Sequence, residues 1–399
     1  MKIRALSLLI AFILVTTFGI TQSLTYDSWG KGLNFTTADS SGSVRMSARI
    51  QNLVVIDHSL ASGKTDVNAM TRRARLKFDG YALTPKLTYK IELGLSNRDI
   101  SNSQEAALVS GAPRIIYDAV LKYQVAKGTS IWFGQTKLPG NRERVISSQK
   151  LQFVDRSQVN SRFNIDRDFG FEIHNEFSVG NVVVRPILSI STGEGRNITA
   201  TNIGGFDYTG RIEVLPLGSF TKGGDYFSSD LAREETPKIA FGFTADYNEG
   251  ASRQGGQLGN FLIDSAGDYL QSNLTTFMAD MIFKYSGFSI LIEAAHREAS
   301  DPKLVDAFGR SFGQGFAYSG QAGYLFKSNA EIAARYTRIA KMAGHASSLS
   351  NSEQYTLGLS RYFKGHNLKV QTDLTYDRAL STTFANEGLM VRFQTELSF

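Results

Sequence analysis

The sequence predicts an all-β fold: a transmembrane antiparallel β-barrel of about 16 strands, with one long loop folded into the lumen as a constriction. Three observations carry that prediction. Sixteen stretches of alternating apolar and polar residues run along the chain, and the gaps between them alternate between long and short. After the first 25 residues, no segment approaches the roughly 20 apolar positions that a membrane helix needs. The stretches lie near 43–57, 70–83, 87–97, 114–125, 129–137, 169–178, 181–191, 207–214, 238–248, 276–285, 288–298, 314–326, 330–340, 353–363, 367–378 and 387–399. The long gaps hold 12, 16, 31, 15, 27, 15, 12 and 8 residues, and the short ones 3, 3, 2, 23, 2, 3 and 3. A membrane barrel sorts its connections this way, with tight turns at one rim and large loops at the other. A soluble β protein has no reason to do so.

The N-terminus reads as an export signal. Lys2 and Arg4 charge its start, Ala5 to Val15 form an apolar core too short to span a bilayer, and Thr21 and Ser23 suit cleavage. The expected organisation is a signal peptide over 1–23, an extended N-terminal segment over 24–42, and one barrel domain over 43–399. The chain has no cysteine, so stability must come from backbone pairing and burial rather than disulfides. Its 43 Lys and Arg against 37 Asp and Glu give a formal charge of +6, lowered when Lys2 and Arg4 leave with the signal. Export, and the lack of a basic run or helix, argue against a nucleic-acid partner.

The strand assignments rest on period-two alternation. In the second stretch Ala74, Leu76 and Phe78 oppose Arg73, Arg75 and Lys77; in the third, Leu87, Tyr89, Ile91 and Leu93 oppose Thr88, Lys90, Glu92 and Gly94. In the fifteenth, Leu368, Val370, Leu374 and Tyr376 oppose Lys369, Gln371, Asp373 and Asp377; in the last, Leu389, Val391, Phe393 and Leu397 oppose Met390, Arg392, Gln394 and Glu396. Most stretches have the length that a tilted strand needs to cross hydrocarbon, about 9–11 residues or more. The short connections carry turn chemistry, as in Thr84-Pro85-Lys86, Ala126-Lys127-Gly128, Ser286-Gly287, Lys327-Ser328-Asn329 and Lys364-Gly365-His366. The gap at 215–237 breaks the rule, either as an insertion on the short-turn rim, the reading favoured here, or as an unrecognised hairpin. Tyr81, Tyr123, Phe177, Tyr247, Tyr285 and Phe326 sit at strand ends on the apolar face, where an interfacial girdle would place them.

The same parity turns Arg45, Arg49, Arg73, Arg75, Lys77, Lys90, Lys122, Lys137, Arg185, Arg211, Lys284, Arg297, Arg335, Lys369 and Arg392 inward. It also turns inward Asp79, Glu92, Asp118, Glu172, Glu176, Glu213, Asp246, Asp280, Glu293, Glu331, Asp373, Asp377 and Glu396, so the lumen as a whole is nearly balanced. The bases are not evenly spread: Arg45, Arg49, Arg73, Arg75 and Lys77 crowd the first two strands. The longest loop, 138–168, adds Arg142, Arg144, Lys150, Arg156, Arg162 and Arg167. So long a loop without structure of its own needs a role, and folding into the lumen supplies one. The candidate pore-lining, anion-binding set is Arg45, Arg49, Arg73, Arg75, Lys77, Lys137, Arg142, Arg144, Arg156, Arg162 and Arg167. Guanidinium donors match phosphate and carboxylate geometry; the competing reading pairs these arginines with neighbouring acids and headgroup phosphates.

Two motifs add a resemblance. Gly134-Gln135-Thr136-Lys137-Leu138-Pro139 ends the fifth stretch, and Asp166-Arg167-Asp168-Phe169-Gly170 opens the sixth. In these the chain resembles the phosphate-selective porin O and P family, whose members carry Gly-Gln-x-Lys-x-Pro before a constricting loop and Asp-Arg-Asp-x-Gly after it. The resemblance implies a sixteen-stranded porin of the Gram-negative outer membrane, a homotrimer, with the third extracellular loop as constriction. It leaves phosphate selectivity open, because family members noted for phosphate line the pore with few acids. The terminal Phe399, with Leu397 and Phe393 before it, resembles the signal read by barrel-assembly machinery.

Enzyme and metal readings find little support. His58, His174, His296, His345 and His366 show no metal-ligand spacing, and no nucleophile elbow or phosphate loop occurs. Asp57-His58 is the one adjacent candidate pair. Asp225, Asp230, Glu234 and Glu235 read as a solvated acidic turn rather than a calcium site, and 250–260 as a mobile glycine-rich loop. No cofactor is expected. The function expected is passive diffusion of small hydrophilic solutes across the outer membrane, with anions such as phosphate favoured and membrane lipid around the wall. The alternative is a non-conducting barrel, plugged by 138–168 or the N-terminal segment, that serves an envelope complex.

Overall fold

The computed structural model describes residues 22–25, 29–96, 99, 115–198, 202–380 and 387–399, so all of the expected signal peptide but Gln22 and Ser23 lies outside the described residues. Sixteen strands form the wall: β1 (Gly42–Ser59), β2 (Thr65–Ala82), β3 (Thr84–Gly94), β4 (Ile116–Ala126), β5 (Thr129–Lys137), β6 (Arg167–Asn175, continued by Phe177–Val179), β7 (Val182–Ser191) and β8 (Asp207–Leu215). The second half comprises β9 (Lys238–Ala251), β10 (Ser272–Tyr285), β11 (Phe288–Ala299), β12 (Gly315–Leu325), β13 (Ala330–Lys341), β14 (Ser352–Tyr362), β15 (Leu368–Ala379) and β16 (Glu387–Ser398). Each of the sixteen expected stretches falls on one of them. Neighbours pair antiparallel, and β16 returns to β1 from Gly388↔Ser59 to Ser398↔Arg49, so the sheet closes. Closure is what lipid demands, because an open edge would leave backbone groups without partners.

Three features depart from the expected layout. β1 and β2 are 18 residues each and are joined by 60–64 alone, where Ser59 N donates to Lys64 O at 2.9 Å, so the first long gap is a tight hairpin. The bulge at Arg72 puts the outward Thr65, Val67 and Ala69 out of phase with Ala74, Leu76 and Phe78, which concealed that end of β2. The N-terminal segment is also more than extended. Leu33–Thr37 pairs with β1 at Ser43–Met46 and with Gln22–Thr25 on its other side. It takes over the edge of β1 just past Phe399, which exchanges backbone hydrogen bonds with Ala48 at 2.9 and 3.0 Å. Finally, the β1–β2 register slips at Gln51/Asn52, which leaves Arg72 as an extra residue. A bulge of this kind turns two successive side chains to one side, here Arg72 and Arg73.

The outer face is apolar. Leu188, Phe243, Phe277, Ile292, Leu357 and Leu359 are exposed there, while Gln51, Thr276, Gln371 and Thr375 are buried on the inner face. Tyr123, Phe177, Tyr247, Tyr285 and Phe326 are exposed at strand ends as a girdle requires, whereas Tyr81 is part-buried and donates to Ser40 O at 3.1 Å. On β12–β15 the outward rings of Tyr318, Tyr336, Tyr355 and Tyr376 form a row with centroids 6.0, 5.0 and 6.3 Å apart.

Leu357 lies mid-strand in β14 and is 60% exposed on this face. Leu357→Arg is expected to destabilise the barrel by about 2–4 kcal/mol, the cost of a cation at the bilayer midplane. Reversible denaturant unfolding from lipid vesicles measures it, and an unchanged midpoint would place Leu357 away from lipid.

Candidate functional site: a lumen narrowed from both rims

The two sequence motifs meet as the stem of the third loop. In the β5–β6 register Gly134 faces Gly170, Gln135 faces Phe169, Thr136 faces Asp168 and Lys137 faces Arg167. Neither glycine leaves room for a side chain: a Cβ on Gly134 would lie 2.2 Å from Ala119 O, and one on Gly170 2.1 Å from Ile190 O. The Gln135 amide donates to Ile116 O and Tyr117 O at 2.9 and 3.1 Å, and its oxygen accepts from Asn197 N at 2.7 Å. Asp168 accepts from Thr192 Oγ1 at 2.7 Å and Gly193 N at 2.5 Å. Arg167 reaches Asp118 at 2.8 Å. The motif residues thus clamp strand ends together and fix where the loop departs.

From that stem the chain between Lys137 and Arg167 crosses the lumen. It contains α1 (Arg142–Val145), a 3-10 turn at Ser148–Lys150, and α2 (Gln158–Phe163), whose N-cap Ser157 accepts from Asn160 N at 3.3 Å. Leu138, Val159, Phe163 and Ile165 pack on Met278, Ala295, Ala317 and Ile339 of the opposite wall. Five wall carboxylates hold the polar side. Asp280 receives Arg142 Nε at 2.7 Å, and Glu293 receives Asn141 Nδ2 at 2.9 Å and Glu143 N at 2.5 Å. Glu331 receives Gln152 Nε2 at 2.7 Å, Asp373 receives Val154 N at 3.1 Å, and Asp377 receives Gln158 Nε2 at 3.1 Å. The loop therefore lies against β10–β15.

The insertion after β8 folds inward from the other rim. No strand occurs between Leu215 and Lys238, only a 3-10 segment at Thr221–Tyr226, which excludes the hairpin reading. It is not a solvated acidic turn either: Asp225, Asp230 and Glu234 are each at most 3% exposed. Phe220 packs on Val183, Leu215, Ala240, Ile282 and Leu291. Lys284 Nζ donates to Gly224 O and Ser229 O, both at 2.7 Å, and Ser228 N donates to Lys150 O at 3.0 Å, joining the insertion to the third loop. A sequence signal existed, since Val183, Ile282 and Leu291 are apolar at inward parity and need a cover. The 250–260 segment is likewise packed rather than loose: Arg253 bridges to Phe261, and Leu262 joins a core with Ala251, Leu274, Ala299 and Phe312.

What stays open is a cavity of about 670 Å³, bounded by β1–β8, the third loop and the insertion. Thirteen Lys and Arg line it against five Asp and Glu. A second cavity of about 470 Å³ shares Lys90 and Lys122 with the first and continues to Arg45, Lys77 and Asn34 near the short-turn rim. Of the candidate residues, Arg49, Arg73, Arg75, Lys137, Arg144, Arg156 and Arg167 line the larger cavity, and Arg45 and Lys77 the smaller. Arg142 does not face water: it is fully buried between Asp280 and Glu213, the latter at 3.3 Å. Arg162 borders a separate pocket beside Gln158, Leu349 and Asp377.

Several of these bases carry partners. Arg75 pairs with Asp99 at 2.5 Å, Arg72 and Arg73 share Asp155 at 3.1 and 3.2 Å, and Arg144 pairs with Asp166. Lys137 instead donates to Arg144 O and Val145 O at 2.9 and 3.1 Å, and Arg156 to Glu143 O and Ile146 O at 2.6 and 2.7 Å. Lys122 stands 3.2 Å from the centre of the Trp132 ring, whose other neighbour is His174, stacked at 3.8 Å. Sequence reasoning left Arg72, Lys90, Lys122, Lys150, Arg196 and Arg211 out of the candidate set, although all line the cavity. The bulge hid Arg72, while the fold of the fourth long loop brings Arg196 to 3.8 Å from the Tyr117 ring centre. In that loop burial raises the Glu194 carboxyl to about 7, while its Oε1 accepts from Ile203 N and Gly204 N at 3.1 and 3.3 Å.

A closed wall of sixteen strands narrowed by an inward third loop is a porin-type barrel. Residues 44–185 match the family model described as phosphate-selective porin O and P, the family that the two motifs resemble. The sequence matches none of the curated proteins. Among solved structures, the outer membrane channel DcaP of Acinetobacter baumannii is similar with a TM-score of 0.56 at 13% identity, covering 90% of this chain and 98% of that one. The anion-selective porin from Comamonas acidovorans is similar with a TM-score of 0.54 at 12% identity, covering 90% and 100%. The trimer form of OmpT, an outer membrane protein of Vibrio cholerae, follows at 0.50 and 10%, covering 89% and 99%. The partial family match and the fold agree on a porin-type barrel.

Glu293→Ala removes the acceptor of Asn141 and of the Glu143 backbone. Leaving those buried donors unpaired costs about 1–3 kcal/mol. The third loop is then expected to become cleavable by trypsin at Arg142 or Arg144 and the current to become noisy; a loop as resistant as wild type would refute the anchoring role.

Proposed function

We propose that the protein is a passive diffusion channel that favours small anions, phosphate among them, over cations. The observation that supports this most is the charge of the open cavity, with thirteen bases and five acids, where the lumen as a whole is nearly balanced. Lys122 and Arg156 have no carboxylate within ion-pair distance among the described residues and so supply uncompensated positive charge. Such groups attract anions and offer the donors that phosphate and carboxylate oxygens accept. The likeness in fold to the anion-selective porin from Comamonas acidovorans accords with this reading. That the two cavities share Lys90 and Lys122 accords with a conducting channel rather than a plugged one. The reading includes a homotrimer in outer-membrane lipid, reached after removal of the signal peptide and after barrel-assembly machinery has read the terminal Phe399.

Reversal potentials across planar bilayers test it. A salt gradient should give an anion-selective potential, and phosphate should lower the chloride current; a cation-selective potential would overturn the proposal. Lys122→Glu combined with Arg156→Gln should lower the chloride-to-potassium permeability ratio about fivefold, an effect of about 1 kcal/mol at the pore.

A further inference from the structure

The 216–237 insertion has no counterpart at the other tight turns, and its contacts give it a task. It spans the short-turn opening: Gly287 N donates to Asp230 at 2.8 Å, and Arg233 donates to Phe326 O at 2.7 Å and to Asn329 Oδ1 at 2.9 Å. The Phe227 ring lies 5.5 Å from His366. Those partners belong to the turns after β10, β12 and β14, so the insertion floors that side of the barrel. It also occupies wall carboxylates. Ser229 Oγ donates to Glu331 at 2.7 Å, and Tyr226 Oη donates to Glu213 at 2.6 Å. Its own Asp225 is taken by Arg185 at 2.5 Å. The opening it leaves lies beside β1–β4, where Lys90, Lys122, Lys77 and Arg45 descend toward the rim.

We propose that the 216–237 insertion is a second selectivity element. It closes the β8–β15 side of the short-turn opening, holds Glu331 off the solute path, and sends solute out along the β1–β4 wall. The proposal rests on the channel reading but not on which ion the channel prefers.

Two experiments on the full chain test it. In the first, 219–233 is replaced by a Gly-Ser pair, and retention of the barrel is checked by heat-modifiable electrophoretic mobility. Conductance in symmetrical potassium chloride should rise about twofold or more as the opening widens. The reversal potential should move toward cations relative to wild type, whatever the wild-type value. A folded variant with wild-type conductance and potential would overturn the proposal. The second experiment keeps the insertion intact. Because the chain has no cysteine, Thr88→Cys and Ser289→Cys each create a single thiol. Thr88 lines the smaller cavity, whereas Ser289 is 1% exposed behind the inward segments. A charged methanethiosulfonate added from the short-turn side should reduce the current of Thr88→Cys and leave that of Ser289→Cys unchanged. Equal modification of both would overturn the asymmetric exit.

Discussion

Everything about this pore depends on the hold that five inward carboxylates have on one loop. A water-filled barrel gives a loop no reason to lie still inside it, since ordering each residue costs about 1–2 kcal/mol of conformational entropy. Here Asp280, Glu293, Glu331, Asp373 and Asp377 meet donors placed along the third loop, and an apolar cluster under Phe163 and Ile165 adds burial. The Arg142–Asp280 pair is fully enclosed, and removing one partner of such a pair leaves an uncompensated charge that costs about 3–5 kcal/mol. The anchoring is therefore cooperative: the loop keeps water from the acids, and the acids keep the loop in place.

The anchoring also changes the charge that a solute meets. Counted along the strands, inward bases and acids nearly cancel. Counted around the open cavity, they do not, because Asp280, Glu293, Glu331, Asp373 and Asp377 lie beneath the third loop. Selectivity in such a design depends on which charges are covered rather than on how many the chain carries. Arg156 illustrates the other half of the arrangement: its guanidinium donates to carbonyl oxygens of the loop, which satisfy its donors without cancelling its charge.

The wall was legible in the sequence because the membrane enforces it. Lipid outside and water inside impose a period of two and a minimum length, and both survive in the sixteen strands outside register slips such as that at Arg72. The loop stem was legible through the motif resemblance, and the structure supplies the reason for its glycines: at Gly134 and Gly170 two backbones approach too closely for a Cβ. What escaped was whatever depends on three-dimensional partners. Parity could not foresee the bulge at Arg72, and it counted Arg142 as pore-lining because a loop carries no parity at all. The fate of the 216–237 insertion was written in the strands around it, at inward apolar positions such as Ile282 and Leu291, rather than in the insertion itself.

Those inward positions also explain why the open path is off centre. On β11–β14 the inner face carries Ala295, Ala317, Gly323, Ala333 and Gly358, small residues that form a bed for the loop. A Cβ on Gly323 would collide with the Gln152 side chain, and one on Gly358 would lie 2.8 Å from the Phe153 ring. On β1–β4 the inner face carries Arg49, Arg73, Arg75, Lys77, Lys90 and Lys122, long cations whose heads need water or acceptors. A loop with apolar side chains gains by covering the first face and loses by dehydrating the second. The distribution of side-chain size and charge around the wall therefore decides on which side the loop settles. The water, and with it the solute path, is left to the cationic side.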